Sequence, residues 1–140
     1  MPTKTWLHQI LNACNAVVPF KEEVTISFLF TSKRTIRHYN ARYRHQDKPT
    51  NVLSFPLDAP AIEGQSTLLG DVIVALEVIK DESCDLGRSF KDHLTHMVVH
   101  GILHLRGFDH IEKAEAAHMQ KLESNILARL GINDPCHDTL

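Results

Sequence analysis

Apolar residues recur at helical spacing in some stretches of the chain and crowd together at strand length in others. Trp6, Leu7, Ile10, Leu11, Ala13, Cys14 and Val17 return every three or four positions, so Thr5 to Val18 is expected to form an amphipathic helix closed by Pro19. Val24 to Phe30 is β-branched and aromatic between polar flanks, which is the composition of a strand. Ser32 is placed to cap a helix from Lys33 to about Tyr43, with Ile36, Tyr39, Asn40 and Tyr43 along one side. A loop from Arg44 to Thr50 then leads into a second strand, Val52 to Phe55, stopped by Pro56. Pro60 and Gly64 make Leu57 to Thr67 a loop or an irregular hairpin, and Leu68 to Leu76 reads as a third, mostly buried strand. The strongest helical pattern runs from Ser89 to Arg106 and ends at Gly107. A last helix is expected over Glu112 to Leu130, with Met119, Leu122, Ile126 and Leu127 on one face and Gly131 as its C-cap. Helices and strands interspersed in this way predict an α+β fold, a small mixed β-sheet packed with helices on one face.

Length and composition narrow this further. A chain of 140 residues, 43% hydrophobic and 23% charged, has the make-up of one globular domain, 1–140, and not of a disordered or low-complexity segment. No apolar run reaches the eighteen or so residues of a membrane helix, and the first residues lack a signal-peptide core, so a soluble, cytoplasmic protein without membrane attachment is expected. Cys14, Cys84 and Cys136 are widely spaced and contain no Cys-x-x-Cys pair, so they suggest neither a disulfide framework nor a thiolate metal site. The net charge of −2 hides an uneven distribution: Lys33, Arg34, Arg37, Arg42, Arg44 and Lys48 face a single acid, Asp47, in one short stretch. With Tyr39 and Tyr43 interleaved, that stretch is suited to tracking a polyanionic backbone or stacking a base, and equally to forming a solvated helix face.

Ten histidines are the other outlier, and their spacing carries chemistry. His100 and His104, four apart, lie on one helix face with Cβ atoms roughly 5–6 Å apart, so two imidazoles can address one ion. Gly107 can turn the chain back sharply and bring His110 to the same ion, which gives the spacing H-x-x-x-H-x-x-G-x-x-H of metzincin-type zinc sites. A rival set, His96, His100 and His104, fails on distance. Eight residues of helix separate its ends by about 12 Å, too far for zinc–nitrogen bonds of ~2.1 Å. His93, His96 and His118 are therefore expected to be surface residues or to support the ligands from behind. Gly101 stands where zinc peptidases carry their glutamate base, so peptide hydrolysis is excluded while the metal site remains. Asp109 is placed either to orient a ligand or to cap the last helix, and Asp71 and Asp109 are both candidates for a general base. Three neutral histidines would leave zinc nearly its full charge, which suits hydrolysis and attracts phosphate oxygens.

Two long motifs make a family visible. His100-Gly101-x-Leu103-His104-Leu105-x-Gly107-Phe108-Asp109-His110 and Tyr43-Arg44-x-x-Asp47-Lys48-Pro49-Thr50-Asn51-Val52-Leu53-Ser54-Phe55-Pro56, with Leu69-Gly70-Asp71, resemble the bacterial YbeY family of metal-dependent endoribonucleases from about Val24 to Pro135. The resemblance implies a zincin-like metal-binding helix, one Zn2+ ion per chain held by His100, His104 and His110, and Arg44 as a residue essential for activity. It also implies single-stranded RNA as substrate and a role in maturation of the small-subunit ribosomal RNA 3′ end and in ribosome quality control. Contacts with the small ribosomal subunit, one of its proteins and an assembly GTPase follow from the same likeness. Physically, Arg44 would clamp a phosphate bidentately; its structural alternative is an ion pair with Asp47. Asn51 replaces an Asp found in many members, and members often begin with a strand that has no counterpart before Trp6. The alternative function is a zinc-stabilised assembly factor that binds RNA or protein without cutting.

Overall fold

The structure is a computed structural model and describes residues 2–57, 66–108 and 113–132. Within these residues the order is α1 (Lys4–Val17), β1 (Val24–Thr31), α2 (Lys33–Arg44), β2 (Val52–Pro56), β3 (Thr67–Ala75), α3 (Leu76–Leu86), α4 (Phe90–Leu105) and α5 (Lys113–Arg129). Three helices start at a hydroxyl that accepts a backbone N–H. Thr3 accepts from Trp6, Ser32 from Thr35 and Ser89 from Asp92 at 3.1–3.2 Å, each such cap being worth about 1 kcal/mol. The expected cap at Ser32 is thus present.

The sheet is mixed, in the order β1-β3-β2, with β1 parallel and β2 antiparallel to the central β3. One irregularity shapes it: Thr25 pairs with Leu68 and Ile26 with Gly70, so Leu69 is an extra residue that bends β3. Gly70 there has φ +143°, and a Cβ would collide with the Phe55 carbonyl oxygen and crowd Leu105 Cδ1.

Side-chain alternation along β3 divides the core. Val72 and Val74 pack with Ile10 of α1, Ile102 and Leu103 of α4, and Ile126 and Leu127 of α5. Ile73 and Ala75 turn the other way and pack with Leu53 of β2 and Ile36 of α2. The expectation of helices on one face is therefore corrected, because α2 covers the opposite face. It does so through a thin stripe, Ile36 and Tyr39, against a sheet residue every second position.

The sequence pattern also left out α3. Its segment, Leu-Glu-Val-Ile-Lys-Asp-Glu-Ser-Cys-Asp-Leu, buries only Ile79 and Ser83, and it follows β3 directly with no side-chain cap. Gly87, at φ +66°, ends it. No helix among the described residues is long and apolar enough to cross a membrane. Burial raises the Cys14 thiol to about 12, against a smaller opposing pull from Arg106, so it behaves as a core side chain. Cys84 is exposed, and Cys136 lies outside the described residues.

Candidate metal centre and groove

Helix α4 lies across β2 and β3, and Gly101 is what lets it come close. A Cβ at Gly101 would stand 2.9 Å from Val72 Cγ1 and 3.1 Å from Val52 Cγ2. Ser54 Oγ donates to the Gly101 carbonyl at 2.7 Å, fastening the helix backbone to β2 at the same point. The position that holds a glutamate in zinc peptidases thus faces a closely packed sheet, with no room for a side chain. Its role in this chain is packing.

Beside that contact, His100, the residue before Gly101, and His104, about one turn after it, come together, with ring centroids 4.6 Å apart and planes at 66°. The pairing expected from the spacing is present. Gly107, at φ +94°, ends α4 in a Schellman turn: its N–H bonds the His104 carbonyl and the Phe108 N–H bonds the Leu103 carbonyl, both at 3.0 Å. Arg106 anchors this end by donating to the carbonyls of Val18 and Pro19 and stacking 3.9 Å over the Phe20 ring. The sharp reversal predicted at Gly107 therefore exists. His110 and Asp109 lie outside the described residues, so the third ligand and the role of Asp109 are not among the features placed. Among the described residues no three His, Cys, Asp or Glu side chains form a metal-holding group.

His100 and His104 open on a groove of about 510 Å³ that Arg44, Asn51, Ser54 and Phe108 also line. Arg44 reaches it from the last turn of α2, where its Nη2 donates to the Ser54 carbonyl at 2.8 Å and its guanidinium sits 5.7 Å from the Phe55 ring. Asp47 pairs instead with Arg37, at 2.9 Å. The alternative reading of Arg44 as the Asp47 partner is thereby corrected: the intervening left-handed residue His45, at φ 58°, reverses the chain so that Asp47 meets Arg37, ten positions back. Asp71 is corrected as a candidate base. It is exposed and shares a second groove with Tyr39, Tyr43 and Phe55 on the α2 face of the sheet, the side away from α4.

Behind the histidine pair is a buried polar cluster. Glu123 of α5, only 6% exposed, places Oε1 at 2.6 Å from His100 Nδ1 and Oε2 at 2.9 Å from His96 Nε2. Burial alone would raise this carboxyl, but the hydrogen bonds and charges of His100 and His96 outweigh it and hold the pKa at about 2. Arg88, in the turn before α4, has Nη1 at 3.2 Å from Nδ1 of both His93 and His96. His93 Nε2 faces Glu82 Oε1 at 2.9 Å, and burial lowers the His93 pKa against that carboxylate's pull. Glu82 also accepts from Asn51 Nδ2 at 3.1 Å, a bond an aspartate at 51 could not donate. Of the two alternatives expected for these residues, His93 and His96 take the buried, supporting one, while His118 is exposed.

Two imidazoles on adjoining turns, facing a groove and backed by a carboxylate that fixes one ring, have the donor chemistry of a zinc site. They fit the expected ion as two of its ligands. Glu123 escaped the sequence reading although it left a trace: an acid in the apolar stripe between Met119 and Ile126. Arg88 left none, and Ser54 stood only as one position of the longer motif.

Comparison with known proteins identifies the family. The model of the endoribonuclease YbeY family matches residues 2–131. An endoribonuclease YbeY of Sinorhizobium fredii is 50% identical over 123 residues, covering 86% of this chain and 70% of its own. That of Paramagnetospirillum magneticum is 47% identical over 116 residues, covering 80% and 71%. The solution structure of TM1509 from Thermotoga maritima aligns with TM-score 0.56 and 23% identity over 89% of this chain and 80% of that one, a likeness of fold. The histidine pair, the arginine facing it and the extent of these matches lead to one conclusion: the chain belongs to the endoribonuclease YbeY family.

Proposed function

We propose that this chain is a zinc-dependent endoribonuclease that cuts single-stranded RNA in maturation of the small-subunit ribosomal RNA 3′ end and in ribosome quality control. The observation that carries the reading is the convergence of Arg44 from α2 with His100 and His104 from α4 on one groove. A cation and a pair of metal-type donors facing each other across a groove suit a phosphodiester, since one can hold the phosphate while the other side carries the ion. His100 and His104, with His110 as third ligand, would hold the zinc, which when bound would supply Lewis acidity. Arg44 binds a non-bridging phosphate oxygen and stabilises charge that grows on it, a role worth ~10²–10³ in rate for a single well-placed donor. Glu123 holds the His100 ring in place. In the cell this reading places the protein in the cytoplasm, on the small ribosomal subunit, alongside one of its proteins and an assembly GTPase.

The test is cleavage of a defined single-stranded RNA by purified protein of measured zinc content. Arg44→Ala is expected to lose ~10²-fold in rate at unchanged zinc content. The His100→Ala, His104→Ala double variant is expected to lose both zinc and cleavage. Undiminished cleavage by the double variant would identify a contaminating nuclease and support a factor that binds without cutting.

A further inference from the structure

We infer that Tyr43 is a stacking platform for one nucleobase of a single-stranded RNA, on the α2 face of the sheet beside the phosphate that Arg44 takes; this deepens the endoribonuclease reading and rests on it. Tyr43 and Arg44 end α2 side by side in the chain, and neighbouring helix positions point about 100° apart. Arg44 therefore reaches the groove of His100 and His104, while Tyr43 lines the second groove, of about 560 Å³, with Tyr39, Phe55, Ser27 and Asp71. The two grooves are neighbours across the edge strand β2, whose Ser54 hydroxyl bonds α4 and whose Leu53 and Phe55 pack toward α2. Phe55 joins them: its ring lies 5.5 Å from that of Tyr43 and 5.7 Å from the Arg44 guanidinium. A strand whose phosphate rests on Arg44 thus has an aromatic surface within reach of an adjoining base.

The exposure of Tyr43 is what calls for an occupant. Tyr39 and Phe55 pack against the core of Ile36, Leu53 and Ile73, but Tyr43, one turn after Tyr39, stays 54% exposed. Its ring is nonetheless oriented: it stacks with Tyr39 at 6.1 Å and 18° and meets Phe55 edge-on at 69°, both geometries of attractive aromatic pairs. An exposed ring braced by two others loses little freedom when a further flat ring is laid on it. Charge points the same way. Arg42 lies 5.7 Å from the Tyr43 ring centroid, so cations precede and follow the tyrosine in the chain, which favours a ligand with both a π-face and a phosphate. Asp71 repels phosphate and accepts N–H groups, so the groove suits the base and leaves the backbone at its rim with the arginines. Every base offers a π-face, whereas a duplex keeps its bases stacked on one another, so the platform selects single strands without fixed sequence.

The experiment is fluorescence anisotropy of the full chain with two labelled probes in excess EDTA, so that neither is cut: a single-stranded oligoadenylate and an abasic ribose-phosphate chain of the same length. Wild-type protein is expected to bind the oligoadenylate more tightly. Tyr43→Ala is expected to weaken oligoadenylate binding by roughly 10-fold and to leave the affinity for the abasic chain unchanged, while Tyr43→Phe keeps wild-type binding. The slope of affinity against salt should stay the same in both variants, since no charge is lost. Equal weakening of both probes, or of neither, overturns the inference and, where the wild-type protein cuts RNA with zinc present, leaves the endoribonuclease standing. The expected Tyr43→Ala pattern in a protein that cuts no RNA with zinc restored does the reverse. Wild-type protein that binds neither probe overturns both. Should Tyr43→Ala fail to fold, photocrosslinking of the wild-type protein to an iodouracil-substituted oligoribonucleotide decides by mass spectrometry: an adduct on Tyr43 supports the platform, and adducts only elsewhere overturn it.

Discussion

Helix α4 carries two pairs of histidines whose surroundings differ. His93 and His96, toward its start, are 4% and 8% exposed, and their rings hydrogen-bond to charged side chains: Arg88, Glu82 and Glu123. His100 and His104, one and two turns on, line a groove that Arg44 shares. The residue type is the same and so is the helix, so the difference comes from what stands opposite. Where α3, its following turn and α5 bring a guanidinium and two carboxylates, the imidazoles become structure. Where α4 meets the end of β2 and the groove, they become candidate ligands. Glu123 belongs to both regions and couples them.

The contrast can be broken experimentally. The largest effect is expected from exchanging the roles of the pairs. The His100→Ala, His104→Ala variant should lose zinc from the purified protein and, in chelator, about 1–2 kcal/mol of stability, because buried Glu123 loses one of its two ring partners. His93→Ala, His96→Ala should behave oppositely, retaining some zinc but losing roughly 3 kcal/mol of stability, since Arg88 and two carboxylates are left without their partners in a buried site. Equal zinc loss in both variants would erase the distinction.

Glu123→Ala should affect both regions at once. Removing the acceptor of two ring N–H groups is expected to cost about 2 kcal/mol in denaturant unfolding and at least 10-fold in zinc affinity. A loss of stability without a change in affinity would detach Glu123 from the groove. Gly101→Ala is expected to cost about 1–3 kcal/mol, because the added methyl meets Val72 and Val52 and helix and sheet must separate. A thermal melt unchanged by that substitution would show that the contact is softer than its distances imply.

The smallest effect is in acid. His93 has a folded pKa below the ordinary 6.5, so the unfolded chain binds more protons and folding weakens as pH falls through 6.5 toward the lowered value. Glu123 acts in a separate window: its folded pKa of about 2 lies under the ordinary 4.5, so its contribution is complete above 4.5 and is lost as pH falls toward 2. Urea unfolding at pH 8 and pH 5.5 should show the first loss, and His93→Gln should flatten it. An unchanged slope in that variant would assign the acid sensitivity elsewhere.

Much of the fold was visible in the residue pattern because the signals are local. Thr5 to Val18, Lys33 to Tyr43, Ser89 to Arg106 and Glu112 to Leu130 show helical periodicity within one element, and Ser32 is a cap whose partner is three residues away. The histidine pair and the turn at Gly107 are local in the same sense. α3 was not visible because its charged surface and lack of a cap leave no periodic trace, and its formation depends on Ile79 finding the core.

The sequence by itself determined that His100 and His104 share a helix face and that the chain reverses after them, since a turn of α-helix and a left-handed glycine are set by neighbours a few bonds away. Only the tertiary structure decided that Arg44 faces them, that Asp71 lies across the sheet, that Gly101 is a packing contact, and that Glu123 and Arg88 stand behind the ligands. Apart from Arg88, which meets His93 and His96 five and eight positions on, those facts depend on pairs more than twenty positions apart, whose meeting is set by sheet register and by which side of β3 each helix covers.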